Sequence, residues 1–447
     1  MFNTSISRRQ WLRKLGGTAL IAGLGRVNSI AQSVPPDYKA LVCIFLTGGN
    51  DGHNTIIPFT QSEFNAYKQA RGSLALPDNN GALLPVETPD GTPFGLNPGL
   101  AAIHPLWAQG KLAALANTGM LVQPTSRSQF LANAVPVPTN LFSHSDQAQQ
   151  MQSGIPSSSG GSGWGGRAAD ALQAMNGLST FPSAVSIAGP ALFCTGNIIQ
   201  SASLLPGFNM DASGLGLWPQ SAAAARKTGM QQILEFDSGL ALVQAANKVR
   251  KDAIDLNALL SASTTNLGTV FPGTSLGNQL QQVAKIIKLR STTGMSRQVF
   301  FCSLGGFDTH GSQSWQHWDL LSQLSQALLA FYNATVELGV ADRVTSFTLS
   351  DFGRTLEPSG TGSDHGWGNH HFILGGAVQG GNVYGSFPTL ALGGPNDSGS
   401  RGALIPTTST DQYGATLASW FGVPASALPT VFPNLANFGS SNLGFLG

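Results

Sequence analysis

Three strand-like runs, two of them apolar and the third mixing Val, Phe and Leu with Thr and Ser, each closing on a loop that carries an aspartate and a glycine, constrain this chain more than any other feature. Ala40 to Leu46 (ALVCIFL) ends in Thr47-Gly48-Gly49-Asn50-Asp51-Gly52, Val299 to Leu304 (VFFCSL) in Gly305-Gly306-Phe307-Asp308, and Val344 to Leu349 in Ser350-Asp351-Phe352-Gly353-Arg354. None alternates apolar with polar residues, so each reads as a strand buried on both faces, the pattern of a parallel sheet. Leu112 to Ala116, Ala184 to Ile187 and Phe372 to Leu374 are further strand candidates. Between them the clearest helical period runs from Trp315 to Leu338, where Leu320, Leu321, Leu324, Leu328 and Phe331 share one face. Strands alternating with helices predict an α/β fold, a three-layer sandwich with a central, largely parallel sheet. Ligands of such sheets bind at the carboxyl ends of the strands. Gly-rich segments at Ser153 to Gly166, Ser263 to Gly277 and Pro358 to Ser363 read as loops. Residues 222–290 begin with an Ala-, Gln- and Lys-rich stretch poor in proline, a candidate helical cover over the site. No repeat is found, and residues 37–447 read as one domain.

The N-terminus reads as an address. Ser7-Arg8-Arg9-Gln10-Trp11-Leu12-Arg13 precedes a weakly hydrophobic stretch from Leu15 to Leu24, the pattern of a twin-arginine export signal. That stretch is shorter than the roughly 20 apolar residues a membrane span needs, so no transmembrane helix is expected after processing. Ser29-Ile30-Ala31 places cleavage near Ala31 and makes residues 1–31 the signal. Those residues hold five cations and no acid, so the remainder carries 18 cations against 22 acids, a net charge of −4. A general nucleic-acid binder is disfavoured, because phosphate attraction needs a clustered cationic surface. Cys43, Cys194 and Cys302 are widely separated and read as buried thiols. Twin-arginine export carries folded proteins, often around a cofactor, to the periplasm or beyond.

Five of the eight histidines fall between residues 308 and 371. Asp308-Thr309-His310 comes first, then His317 at a helix start, then Asp364-His365-Gly366-Trp367-Gly368-Asn369-His370-His371. With Asp51 they place carboxylates and imidazoles just after strands or in the loops those strands feed. Oxygen and imidazole ligands suit Zn, Mn or Mg, and two ions about 3.5–4 Å apart can clamp an in-line displacement. The competing reading is that single Asp-His pairs cap helices and satisfy loop amides. The joint pattern predicts divalent metal binding, with Asp51, Asp308, His310, Asp364, His365 and His370 as the ligand candidates.

Several of these stretches, together with Ser143-His144-Ser145-Asp146-Gln147-Ala148-Gln149 and Gly163-Trp164-Gly165-Gly166-Arg167, resemble a known family. It is the twin-arginine-exported bacterial family called domain of unknown function 1501, and the motifs occur in its order across almost the whole chain after the signal. That family is related in fold to the alkaline phosphatase and sulfatase superfamily. The resemblance implies two divalent ions, drawn from Zn, Mn, Mg or Ca. Asp51, Asp364 and His365 would serve one; Asp308, His310 and one of His370 and His371 the other. Asp308 and His310 stand two residues apart where the superfamily commonly has four, which leaves His317 as an alternative to His310. Asp351 replaces the family's usual glutamate.

Ser143, before a polar helix start, is the nucleophile candidate, with the simple N-cap as the competing role. His144 would orient it or protonate the leaving alkoxide. Arg354 and Arg167 would hold non-bridging oxygens, or else form structural ion pairs. Gly273-Thr274-Ser275-Leu276-Gly277 matches a nucleophile-elbow pattern but lies in a Thr- and Ser-rich loop rather than at a strand-to-helix turn. Two functional expectations follow. One is an exported metal-dependent hydrolase of small-molecule or glycan phosphate or sulfate esters, with in-line attack by a serine or a metal-bound water. The other is a non-catalytic exported envelope protein that keeps the phosphatase-like fold for binding or assembly. In both the translocase is a partner during export.

Overall fold

A computed structural model describes residues 37–78, 82–157, 161–207, 215–244, 246–248, 250–251, 254 and 267–447. The predicted signal, residues 1–31, lies outside the described residues. In chain order the strands are β1 (Lys39–Leu46), β2 (Ile56–Pro58), β3 (Leu84–Glu87), β4 (Pro93–Leu96), β5 (Leu112–Gly119), β6 (Ala184–Ser186), β7 (Ala202–Ser203), β8 (Arg297–Leu304), β9 (Val344–Ser350), β10 (Arg354–Ser359), β11 (Gly362–His365), β12 (Asn369–Gly375), β13 (Val383–Tyr384) and β14 (Thr408–Ser409).

Nine of them form one sheet in the order β13-β5-β12-β9-β1-β8-β6-β7, with β14 also on β5. β1 lies at its centre, parallel to β8 with Lys39 opposite Arg297, and parallel to β9 with Ala40 opposite Val344. β12 alone runs antiparallel to its neighbours. The fold is thus α/β around a mostly parallel sheet, as the three strand-like runs imply.

The unbroken apolar sequence of β1 has its reason in the layers on either side. Ala40, Val42, Ile44 and Leu46 point into one core with the helices Ser275–Lys288 and Gln313–Glu337. Leu41, Cys43 and Phe45 point into the other with the helices Trp164–Ala171 and Thr410–Phe421. Burying each large aliphatic or aromatic side chain in such a sandwich contributes roughly 1.5–3 kcal/mol. The three cysteines are free and buried.

Two local differences from the sequence reading have physical causes. Pro358 to Ser363 is not a plain loop: β10 and β11 form a hairpin in which Pro358 pairs with Ser363, on an isolated pair of strands that tolerates a proline. The 222–290 stretch divides. The helix Ser275–Lys288 is a core helix covering the sheet, whereas the helix Ala223–Glu235 buries no residue. Among the described residues no helix is long and apolar enough to cross a membrane.

Candidate metal centre

The carboxyl ends of β1, β8 and β9 lie side by side, so the loops that follow them meet. Gly48 sets how closely. It adopts φ +113°, and a Cβ there would stand 2.4 Å from the Asp308 backbone nitrogen. Only glycine accepts both that conformation and that approach. The β8 loop, thus seated, presents Asp308 and His310. The hairpin strand β11 ends on His365. The helix His144–Ser153 begins at the same place and brings His144 by its first residue.

Four donor atoms converge there. His144 Nε2 stands 3.3 Å from Asp308 Oδ1 and 3.1 Å from His365 Nε2. His365 Nε2 is 3.5 Å from Asp308 Oδ1. His310 Nε2 is 3.0 Å from Asp308 Oδ1 and 3.0 Å from His365 Nε2. Tetrahedral zinc with ligand bonds of about 2.0–2.1 Å needs donors about 3.3–3.4 Å apart. These five separations bracket that value. Among the described residues one group with metal-ligand spacing is found, His144 with Asp308 and His365, and His310 adjoins it.

The far sides of the rings decide what the near sides offer. His144 Nδ1–H donates to Asp351 Oδ2 at 2.7 Å, and His365 Nδ1–H donates to the Phe142 carbonyl at 2.7 Å. His310 Nδ1 faces Asp364 Oδ1 at 3.5 Å. With those protons on Nδ1, the Nε2 atoms turn lone pairs toward one another and toward a carboxylate. Such an arrangement is repulsive unless a cation or an added proton joins it. Ligand histidines anchored through the distal nitrogen by a carboxylate or carbonyl are the usual support of a metal site. Asp351 also accepts the Gly48 N–H at 3.2 Å. The Phe142 carbonyl is aimed by a left-handed backbone, φ +71°, costly for a bulky residue.

The charge balance follows from these contacts. The hydrogen bond that His144 donates to Asp351 leads in holding its pKa above the usual imidazole range. Burial lowers His365 instead. Burial also opposes the charge on Asp308, but the Arg354 guanidinium with His144 and His310 outweighs it and holds the carboxyl below its ordinary value.

Other residues expected at the site lie elsewhere. Asp51 is buried beneath it, paired with Arg71 and accepting from Gln313. Its charge survives burial because Arg71, the largest opposing influence, holds its pKa low. His370 accepts the Asn117 N–H on Nδ1 at 3.0 Å and stacks on Phe387. His371 stacks on Tyr413, and burial lowers its pKa to about 3. His317 bonds Asn50 Oδ1 at 2.9 Å through Nε2, and burial takes it to about 4. Asp364 stands at the rim, bonded by Arg401 at 2.5 Å.

Arg354 cannot hold a substrate oxygen as expected. Its side chain is fully buried, and its nitrogens donate to the carbonyls of Gly48, Gly49, Phe307 and Ser363 and to Asp308. Arg167 is likewise spent on the carbonyls of Ser153, Ser162 and Val431. Ser143 donates from Oγ to Asp146 at 2.5 Å. Arg401, half exposed and missed in the sequence reading, is the cation at the rim; its only sequence signal is the Gly- and Ser-rich loop around it.

The family model described as "Protein of unknown function (DUF1501)" matches residues 38–399. The chain belongs to the DUF1501 family. No curated protein matches it. Among solved structures, this DUF1501 protein is similar to Ps i-CgsB in complex with k-i-k-neocarrahexaose, at 9% identity over 91% of this chain and 75% of that one, TM-score 0.36. It is similar to the PsFucS1 sulfatase from Pseudoalteromonas sp., at 10% identity over 94% and 74%, TM-score 0.34. A third is the lipoteichoic acid synthase LtaP from Listeria monocytogenes, at 10% identity over 86% and 82%, TM-score 0.31.

Proposed function

We propose that this chain is an exported metal-dependent hydrolase of phosphate or sulfate esters, built on one divalent cation held by His144, Asp308, His310 and His365. The observation that carries the reading is the convergence of His144 Nε2, His365 Nε2 and Asp308 Oδ1 at separations of 3.1–3.5 Å, with His310 Nε2 3.0 Å from the last two and two of the rings locked from behind at 2.7 Å. Imidazole-rich donors with a single carboxylate favour zinc over magnesium or calcium. A cation there supplies Lewis acidity, polarising an ester oxygen and lowering the pKa of water.

The chain's own groups do the rest. Asp351 and the Phe142 carbonyl fix the ring orientations, so no reorganisation is needed when substrate arrives. Arg401 stands at the rim in ion pairs with Glu357 through Nε and Asp364 through Nη1, so it would meet an anionic ester oxygen through Nη2, and Asp364 also faces His310. Ser143 donates its hydroxyl hydrogen bond to Asp146, which would accept the proton as the oxygen attacks, or leave the hydroxyl to orient attacking water. His144, as part of the donor set, is removed from the role of general acid. A second ion, expected from the resemblance, would need donors beyond the one group found among the described residues.

One observation favours the alternative of a non-catalytic exported binding protein. Three donors, His144, Asp308 and His365, lie mutually close, and His310 adjoins two of them; a closed four-donor set would make the cation structural, whereas a catalytic one keeps a position open. The two readings separate on purified protein lacking residues 1–31. Metal analysis should find about one ion per chain, and aryl phosphate or sulfate esters should be hydrolysed when Zn, Mn, Mg and Ca are supplied in turn. Full metal content with no hydrolysis under any ion would favour the binding role. Asp308→Ala should lose metal and activity together.

A further inference from the structure

The donors of the centre are not held alike. Among the described residues the mutually close set is His144, Asp308 and His365, and His310 stands outside it. His310 Nε2 reaches Asp308 Oδ1 and His365 Nε2, both at 3.0 Å. The supports behind the rings differ in the same sense. Nδ1 of His144 and Nδ1 of His365 are each anchored at 2.7 Å, whereas Nδ1 of His310 stands 3.5 Å from Asp364, beyond ordinary hydrogen-bond length.

The faces of the rings differ too. Phe352 is 2% exposed and lies 4.7 Å from the His144 ring and 4.8 Å from the His365 ring, centroid to centroid. It has no room to retreat, because its own ring is packed onto Gly49, where a Cβ would stand 2.5 Å from it. Asp351 bonds the edge of the same His144 ring, so residues 351 and 352 grip that imidazole by edge and face together. Among the described residues the His310 ring meets one aromatic neighbour, His365 at 5.0 Å. Its side chain is 47% exposed, against 33% for His144 and 26% for His365.

The His310 backbone, by contrast, is fixed. Ser363 N–H donates to the Thr309 carbonyl at 3.3 Å, and a Cβ on Gly362 would stand 2.3 Å from the His310 carbonyl carbon. Motion at His310 is therefore a rotation of its side chain, which exposed residues make within nanoseconds. Asp364 is close enough to receive the turned ring.

We propose that His144, Asp308 and His365 are the fixed donors, two of them clamped by Phe352, and that His310 is a displaceable fourth donor whose withdrawal opens a position for an anionic ester oxygen. This rests on the metal-dependent reading and deepens it. Zinc centres that act on a substrate keep three protein donors and one exchangeable position.

Zinc affinity, read by competition with a chelator dye, and imidazole NMR spectra with inorganic phosphate as the probe test the proposal. His310→Ala should weaken zinc binding about tenfold, and His144→Ala and His365→Ala each more than about a hundredfold. Phe352→Leu should weaken it about tenfold although Phe352 supplies no donor atom. Phosphate added to the zinc-loaded parent should move the His310 resonances toward those of an unbound ring and leave His144 and His365 in place. Those spectra need no variant, so they decide the matter even where a substitution disturbs folding. Equal losses of zinc affinity in the three histidine variants, or release of His144 or His365 in place of His310, would overturn the proposal. So would phosphate that displaces no donor, and unchanged affinity in Phe352→Leu would overturn the clamp. A parent that binds no zinc would overturn the metal reading together with this assignment. Displacement of His310 without hydrolysis of any ester would remove the hydrolase reading and leave the displaceable donor standing.

Discussion

At the scale of single residues, the site depends on groups that do not touch the donor point. Asp351 holds His144 by Nδ1, so Asp351→Asn replaces a carboxylate acceptor by an amide that can turn its NH₂ toward the ring and favour the wrong tautomer. Metal affinity should fall about 10- to 100-fold, read by competition with a chelator dye. An unchanged affinity would show that the carboxylate does not orient the ring. Arg354 belongs to structure rather than recognition. Its removal strands buried carbonyls and the Asp308 carboxylate, so Arg354→Ala should cost about 3–5 kcal/mol in urea unfolding. A variant of normal stability with a raised KM would instead mean that the guanidinium reaches substrate.

These residues also show how far the sequence was readable. Asp308, His310 and His365 were legible because each follows or ends a strand in a Gly-rich loop, where side chains are free to converge. Asp51 has the same signature, yet Arg71, 20 residues later on a separate helix, claims its carboxylate. Nothing in the linear pattern marks that pairing. Arg354 misleads for a related reason: its motif position is visible, but the four carbonyls that surround it come from three separate segments.

At the scale of elements, the junction between the β1 and β8 loops is the mechanical base of the centre. Gly48→Ala would force a Cβ to within 2.4 Å of the Asp308 nitrogen and strain a positive φ. It should lower stability by about 1–3 kcal/mol and weaken metal binding in the same protein. Loss of stability with normal metal affinity would show that the two loops are not coupled. The helix Thr410–Phe421 offers a pH test. Burial raises Asp411 to about 7, while an unfolded chain would ionise near 3.8. Between those values the folded form holds a proton that the unfolded form releases, so this stabilising contribution is complete below about pH 4 and is lost as pH rises through 7. Asp411→Asn should flatten that part of the urea-midpoint profile; an identical slope would assign it to other groups.

The elements most legible in sequence were β1 and β8, whose apolar runs mark strands covered on both faces, whereas β9 (VTSFTLS) is buried at every position although Thr345, Ser346, Thr348 and Ser350 are polar. The β10–β11 hairpin was hidden by its Pro, Gly and Ser content, which signals turns and loops as readily as short edge strands. The Ala-rich 222–235 segment has helical propensity and forms a helix, but propensity does not say what a helix packs against, and among the described residues this one has no buried residue.

At the scale of the whole molecule, the proposed cation would tie together segments near residues 144, 308 and 365, which lie far apart in the chain. Anything that binds the folded form alone stabilises it by mass action, about 4 kcal/mol at a thousandfold excess over the dissociation constant. Chelation should therefore lower the melting temperature of the parent and leave that of Asp308→Ala unmoved. The same topology explains why the sheet order could be anticipated only in class. Apolar runs announce buried strands, but not that β12 turns back between β5 and β9 to carry the hairpin strand β11 to the site.

The most direct test is anomalous diffraction at the zinc edge from crystals grown with one equivalent of zinc. The expected result is a single peak about 2.0–2.2 Å from Nε2 of His144, His310 and His365 and from a carboxylate oxygen of Asp308. A peak seated on Asp51 instead, or none among these four residues, would contradict the account.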